Sequence, residues 1–287
     1  MPSLISKLLK TTGILLLMYI FVSRGWNAAV QQSMILKGRA AHESVITGEE
    51  TGRAEKYNRD LAASGSDQIA RFMLRMKKSP GAFDYGEADD PEYESLLNAA
   101  GDGIMGYVEI PCIGVNLPVS HYASDNSLQK GAGHLYGSSL PIGGRNTHTV
   151  ITGHRGLPEA KMFTNLDRMH QGDIFILHTG QKNLYYETDR ITTVLPSEFD
   201  ELKIEEGRDL ATLMTCTPYG VNTHRLLVRG HRVNRPESLS AEAADLSWKE
   251  KAARIFLSWK TDILAGTFTF TAGLILLYRI WRRKFNE

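Results

Sequence analysis

The chain of 287 residues carries two cysteines and nine histidines, and a few of these stand where chemistry is possible. Cys216 closes the apolar run Ala211-Thr212-Leu213-Met214-Thr215 and is followed by the turn residues Thr217-Pro218-Tyr219-Gly220. A thiol at a strand end beside a loop is expected to be exposed enough to react, whereas one in mid-strand would be core. His154 repeats the arrangement: a strand over Thr147 to Thr152, then Gly153-His154-Arg155-Gly156, whose glycines let other groups approach closely. Arg225 opens the next strand nine residues after Cys216, a spacing that can return its guanidinium to the thiol. Together they supply a nucleophile, a general acid/base and a fixed cation for charge developing on a carbonyl oxygen, the requirements of acyl transfer. Spacing alone leaves the purely structural reading open, because any chain with nine histidines places some Cys, His and Arg on loops.

The other polar candidates read more plainly. Cys112, in Ile110-Pro111-Cys112-Ile113, is a turn cysteine. His134, His148 and His224 flank the motifs as structural or rim residues. Tyr219 and Asn222 lie on the loop between Cys216 and Arg225 and are candidates for a substrate groove. Two cysteines are too few for a disulfide framework, and no Cys-x-x-Cys or His-Glu-x-x-His pattern exists, so no metal is expected. No phosphate-binding glycine motif is present, and no cofactor is expected. A papain-like protease fits poorly, since the histidine precedes the cysteine.

These residues fall in a stretch of short β-rich runs between turn residues, from Gly101 to Val233. The expected strands are Met105 to Ile110, Val115 to Val119, Thr147 to Thr152, Asp173 to His178, Leu184 to Leu195 (two strands or one bent one), Leu210 to Cys216 and Arg225 to Val233. Seven or eight short strands in this span indicate a barrel or a sandwich. One short helix fits Ala160 to Met169. Upstream, Trp26 to about Lys78 reads as two helices divided near Thr47 to Thr51, with Ile69, Phe72, Met73 and Met76 as a packing face of the second. Residues 80–96 are acidic and glycine-punctuated, and hold Phe83, Tyr85 and Tyr93: either a linker or a loop lying across a groove of the following domain.

The formal charge of +1 gives no reason to expect nucleic acid as a partner. The ends are nevertheless basic. Residues 1–26 carry Lys7, Lys10 and Arg24 with no acid, and residues 279–287 carry Arg279, Arg282, Arg283 and Lys284 against Glu287. Gly13 to Val22 is an apolar run that, extended through Leu4, Ile5, Leu8 and Leu9, makes a short uncleaved anchor. Ile263 to Tyr278 is uncharged for sixteen residues before the basic tail and is just long enough to span a membrane. With both segments spanning, the excess of positive charge puts both termini in the cytoplasm and residues 27–262 outside. Ser240 to Lys260, with Trp248, Ala252, Ile255, Phe256 and Trp259 at helical spacing, reads as an amphipathic segment at the membrane surface. A C-terminal apolar helix with a basic tail also ends cell-wall sorting substrates, but no Leu-Pro-x-Thr-Gly-like pentapeptide lies between Asn234 and Asp262.

The strings Gly133-His134-Leu135, Thr147 to Gly156 (THTVITGHRG) and Thr212 to Leu226 (TLMTCTPYGVNTHRL), following Gly106 to Val119 (GYVEIPCIGVNLPV), closely resemble the sortase family, and most nearly its class C, pilus-assembling branch. The resemblance runs from about Tyr107 to Val233. It implies a mainly β fold, a sortase-type closed eight-stranded β-barrel with short helices, preceded by an N-terminal helical segment and flanked by the two membrane segments. The corresponding organisation is a membrane anchor or signal-like segment over 1–26, a helical region over 27–79, a lid-like loop over 80–98, the barrel over 99–235, an amphipathic juxtamembrane segment over 236–262, a transmembrane helix over 263–281 and a basic cytoplasmic tail over 282–287.

The implied activity is that of a membrane-bound cysteine transpeptidase of a Gram-positive bacterium. Cys216 is the nucleophile, His154 the general acid/base and Arg225 the oxyanion or substrate stabiliser. The implied partners are pilin subunits bearing Leu-Pro-x-Thr-Gly-like sorting signals, an acceptor lysine on the next pilin, and membrane lipid. Class C relatives carry an Asp-Pro-aromatic lid. Here Asp90-Pro91 is followed by Glu92, with Tyr93 one residue late, and Phe83-Asp84-Tyr85 is a second candidate without proline. A wall-anchoring enzyme using a peptidoglycan amine and a non-catalytic membrane-tethered scaffold are the alternatives.

Overall fold

The computed structural model describes residues 48–65, 69, 88–98, 100–156, 162–180 and 182–236, with scattered helical positions between residues 6 and 35. The chain divides into two compact units, Met1–Ala28 with Glu237–Glu287, and Ala29–Pro236. In the first, the described residues of the N-terminal segment are helical, and Leu15, Leu16, Tyr19, Val22 and Trp26 are exposed. Among the described residues no helix is long and apolar enough to cross a membrane. The expected C-terminal span, the amphipathic segment before it, Phe83 and Tyr85 lie outside the described residues.

The second unit is built on eight strands: β1 (Ile104–Ile110), β2 (Val115–Ser120), β3 (Ala132–His134), β4 (Thr147–Gly153), β5 (Ile174–Thr179), β6 (Lys182–Val194), β7 (Asp209–Thr217) and β8 (His224–Val233). They close into a barrel in the order β1-β2-β3-β4-β7-β8-β6-β5, so the sandwich alternative falls away. The expected strands are present within one or two residues at each end. The stretch expected as two strands or one bent one is a single strand, β6, whose pairing with β8 shifts between Thr188 and Arg190. The three-residue β3 has no sequence signal of its own; its pairing with β2 and β4 makes it a strand.

Among the described residues three helices with full bounds accompany the barrel: α1 (Gly48–Ala63), α2 (Pro91–Ser95) and α3 (Asp125–Lys130). The end of the stretch expected as an acidic loop is therefore helical. Asp90 accepts from the Tyr93 N–H at 3.0 Å as an N-cap, and Pro91 follows at the first helical position, where its missing donor costs nothing. Instead of the helix expected over Ala160 to Met169, the described residues form turns and a single 3-10 turn, Leu166–Arg168.

Strand alternation sorts the core into two faces. Ile151 of β4, Ala211 and Leu213 of β7, and Leu226 and Val228 of β8 join the cluster that fills the barrel. Val150, Met214 and Leu227 point the other way and pack with Ala123, Leu128, Leu135 and Ile69 in a second cluster. Both faces of β4 and β7 are thus covered, which is why they read as continuous buried runs in a parallel pair. The helical packing face expected around Ile69 is represented among the described residues by Ile69 itself, which is buried there.

Candidate active site

Register brings the three residues together. Cys216 on β7 lies directly opposite Arg225 on β8, and directly opposed residues of an antiparallel pair share a face. β4 and β7 run parallel with Thr152 paired to Met214, so two residues further along each chain stand His154 and Cys216. The Thr215 hydroxyl donates to the Gly153 carbonyl at 2.8 Å and holds the end of β4 against β7 at this level. By parity His154, Cys216 and Arg225 continue the face of Val150, Met214 and Leu227, so they form one row at the C-terminal ends of β4 and β7.

The expectation of an exposed thiol is not met: Cys216 is only 4% exposed, because β7 is flanked on both edges and its outer face is covered. Burial pushes the Cys216 thiol above its usual value, and the Arg225 cation opposes that rise. Burial likewise pulls His154 below its usual value, and the Asp125 carboxylate at the start of α3 opposes that fall. Both shifts run against a thiolate–imidazolium pair and toward a protonated thiol and a neutral imidazole. Arg225 is itself 3% exposed, and its Nη1 donates to the carbonyls of Asn222 (3.3 Å) and His224 (3.2 Å), which ties the cation to the loop after Cys216.

That loop is a compact turn in which Val221 and Asn222 both donate to the Pro218 carbonyl, with Asn222 in the left-handed region at φ 61°. Tyr219 is 59% exposed, and its ring lies so close to Gly156 that a Cβ there would meet Cε2 at 2.8 Å. A Cβ on Gly153 would meet the Phe163 ring at the same distance. The glycines around His154 therefore admit two aromatic rings. The Asn222 side-chain oxygen is buried with no hydrogen-bond partner in the protein.

Asp90 and Tyr93 make their contacts elsewhere than along that row. Tyr93 is fully buried, its hydroxyl set between the His121 carbonyl and Nδ1 of His134 (2.7 Å to the latter), with its ring among Tyr57, Tyr122 and Tyr136. Asp90 accepts from the Tyr136 hydroxyl at 2.7 Å. These contacts fasten α2 to the barrel, and none of them runs to Cys216, His154 or Arg225.

His134 and His148 are buried and hydrogen-bonded on both ring nitrogens, and burial lowers each to about 4. Cys112 sits in the turn between β1 and β2, where partial burial and the Asp173 carboxylate push its thiol up to about 11. Two residues near the row were not legible as functional: Asp125, signalled only as a helix start after Ser124, and Arg155, hidden inside the histidine motif.

Comparison with known proteins accords with this geometry. The family model described as the sortase domain matches residues 108–233, and the chain belongs to the sortase family of cysteine transpeptidases. Solved structures similar to it include class C members. Sortase C1 of Streptococcus agalactiae is 37% identical with a TM-score of 0.62, covering 71% of this chain and all of that one. A structure described as a pilus-related sortase C of Group B Streptococcus is 36% identical with a TM-score of 0.57, covering 68% of this chain and 94% of that one. Sortase A of Bacillus anthracis is 24% identical over 179 residues, which is 62% of this chain and 83% of that protein.

Proposed function

We propose that this transpeptidase polymerises pilins through a thioacyl intermediate on Cys216. The observation that carries the reading is the row itself, with Cys216 opposed in register by Arg225 and flanked through the parallel pair by His154. The Cys216 thiolate attacks the Thr carbonyl of a Leu-Pro-x-Thr-Gly-like signal, Arg225 faces the charge that develops on the carbonyl oxygen, and His154 gives its proton to the departing Gly amine. A lysine amine of the next pilin then attacks the thioester, His154 takes the proton, and an isopeptide bond forms with release of Cys216. The unpaired Asn222 oxygen accepts an N–H of the extended signal, and Tyr219 forms one wall of its groove.

The acceptor assignment is supported by the class C neighbours, one of them described as pilus-related. Membrane anchoring is supported by the exposed apolar residues of the N-terminal helical segment, which need an apolar covering. In this reading Asp90 and Tyr93, fastened to the barrel through Tyr136 and His134, are the root from which a lid segment would extend.

Intact-mass spectrometry of the full chain in detergent, incubated with a pilin carrying the signal, tests the proposal. A thioacyl adduct and a pilin dimer that both vanish in Cys216→Ala are expected. An acceptor mapped to a peptidoglycan amine would assign the protein to wall anchoring, and no adduct on Cys216 would overturn the reading.

A further inference from the structure

Arg155, immediately after His154, is almost completely buried; its side chain is 8% exposed. Its Nη1 donates to the Thr217 hydroxyl at 3.1 Å, its Nε to the Thr164 carbonyl at 3.3 Å, and its Nη2 pairs with the Asp167 carboxylate at 2.5 Å. The guanidinium also stands 6.0 Å from the centre of the Tyr219 ring. Thr217 is the last residue of β7 and the neighbour of Cys216. By alternation it points to the face opposite Cys216, as Arg155 is opposite to His154. The segment beneath is tied in as well: Phe163 N–H donates to the His154 carbonyl at 3.0 Å, and Gly156 N–H to the Thr164 hydroxyl at 3.1 Å.

The geometry points to Arg155 as a positioning residue that clasps the loop carrying His154 to the strand end carrying Cys216, from the face opposite the one on which those two side chains meet. The inference rests on the reading of His154 and Cys216 as a working pair. β4 ends at Gly153, so the parallel pairing brings His154 to the level of Cys216 but does not by itself fix the separation of the two side chains. A planar guanidinium that reaches Thr217, Thr164 and Asp167 at once fixes that separation by geometry, which a lysine at the same position would not do. The clasp also braces the Tyr219 ring against Gly156, so the groove wall and the acid/base are held by one side chain.

Thr217→Val tests this with little change of shape and leaves the Arg155–Asp167 pair in place. The readout is the rate of iodoacetamide alkylation of the full chain in detergent at neutral and rising pH, followed by peptide mass so that Cys112 serves as an internal control. No substrate is needed. The charged and titratable groups around the pair are Arg225 and His224 on β8, Asp125 on α3, and Arg155 with Asp167 beneath; only the clasp is altered.

At pH 7 Thr217→Val is expected to slow Cys216 alkylation about 10-fold, within the ~10²-fold that a misplacement of roughly 1 Å can cost, toward the rate of His154→Ala. In the His154→Ala background it is expected to add nothing, and Thr217→Ser is expected to restore the wild-type rate. An unchanged alkylation profile in Thr217→Val, or an equal further loss in the His154→Ala background, would overturn the clasp while leaving the site reading intact. An unchanged profile in His154→Ala would overturn the pair and the clasp with it.

Discussion

Arg225 offers the sharpest test of the row. The residue is 3% exposed and pairs in register with Cys216, and its guanidinium is held before any substrate arrives by bonds to the Asn222 and His224 carbonyls. Removing a fixed donor aimed at a developing oxyanion costs about 10²–10³ in kcat, roughly 3–4 kcal/mol of barrier. Arg225→Ala is therefore expected to slow thioacyl formation by about that factor, and also to loosen the loop, since two carbonyls lose a donor at about 1 kcal/mol each. Because the cation opposes the rise of the Cys216 thiol, its removal moves the alkylation midpoint of Cys216 to higher pH. Arg225→Lys keeps the charge without the fork and is expected to fall between, at about a 10-fold loss. Acylation is measured with a quenched Leu-Pro-x-Thr-Gly peptide, loop stability by denaturation, and the thiol by iodoacetamide. A loss of acylation below about threefold in Arg225→Ala, with an unmoved alkylation midpoint, would refute the assignment of Arg225 to the reacting centre.

Three further outcomes follow from the same geometry. Asp125→Asn removes the carboxylate that opposes the fall of His154, so the acid limb of the pH–rate profile should move to lower pH while the basic limb, set by Cys216, stays; an unmoved acid limb would show that Asp125 does not act on His154. His134 and His148 remain neutral down to about 4, whereas in the unfolded chain they take up protons near 6.5. Their contribution is therefore complete above 6.5 and lost as pH falls toward 4, about 2 kcal/mol each at pH 5, visible as a lower urea midpoint at pH 5 than at pH 7 that His148→Gln partly abolishes. Asp189 holds Arg229, whose side chain is 7% exposed, through two bonds of 2.9 and 3.0 Å, and Arg208 through a third. Asp189→Asn is expected to cost about 2–3 kcal/mol in denaturant unfolding, less than a wholly unpaired buried charge because Glu205 still holds Nη1 of Arg229 at 2.7 Å.

What could be read from the sequence was decided by local pattern. The strands that carry Cys216 and Arg225, and the strand that ends just before His154, announce themselves as β-branched, apolar runs ended by turn residues, and their ends fall within a residue or two of expectation. What was not legible depends on long-range pairing. β3 is three residues long and is a strand only because Val119 and Gly153 flank Ala132. The burial of Cys216 was missed because a strand end was taken to imply exposure, whereas the second apolar cluster, drawn from Ile69, Ala123, Leu128 and Leu135, runs up the same face below it. Tyr93 looked like a residue in an acidic loop; its buried ring and hydroxyl are explained by Tyr136, His134 and His121, which are distant in the chain. Strand pattern alone does not separate a barrel from a sandwich; the closed eight-stranded barrel that the family resemblance implies is the one found, with β1 pairing β5 to close the sheet.

The electrostatics of the row divide the proposed reaction unequally between its two halves. A buried thiol that keeps its proton is idle toward stray acyl groups, and a buried imidazole that stays neutral is a base at rest. That state suits the second half, in which an incoming ammonium must lose a proton before its nitrogen attacks the thioester. It opposes the first half, which needs thiolate beside imidazolium. Each unfavourable charge has one compensating group: Arg225 opposite the thiol, Asp125 toward the imidazole. The two groups come from different elements, Arg225 from β8 and Asp125 from α3, so each can be altered without the other. Burial then serves the intermediate as well. In the proposed reaction a thioester on Cys216, which is 4% exposed, would be shielded from water by the same cover that raises the thiol.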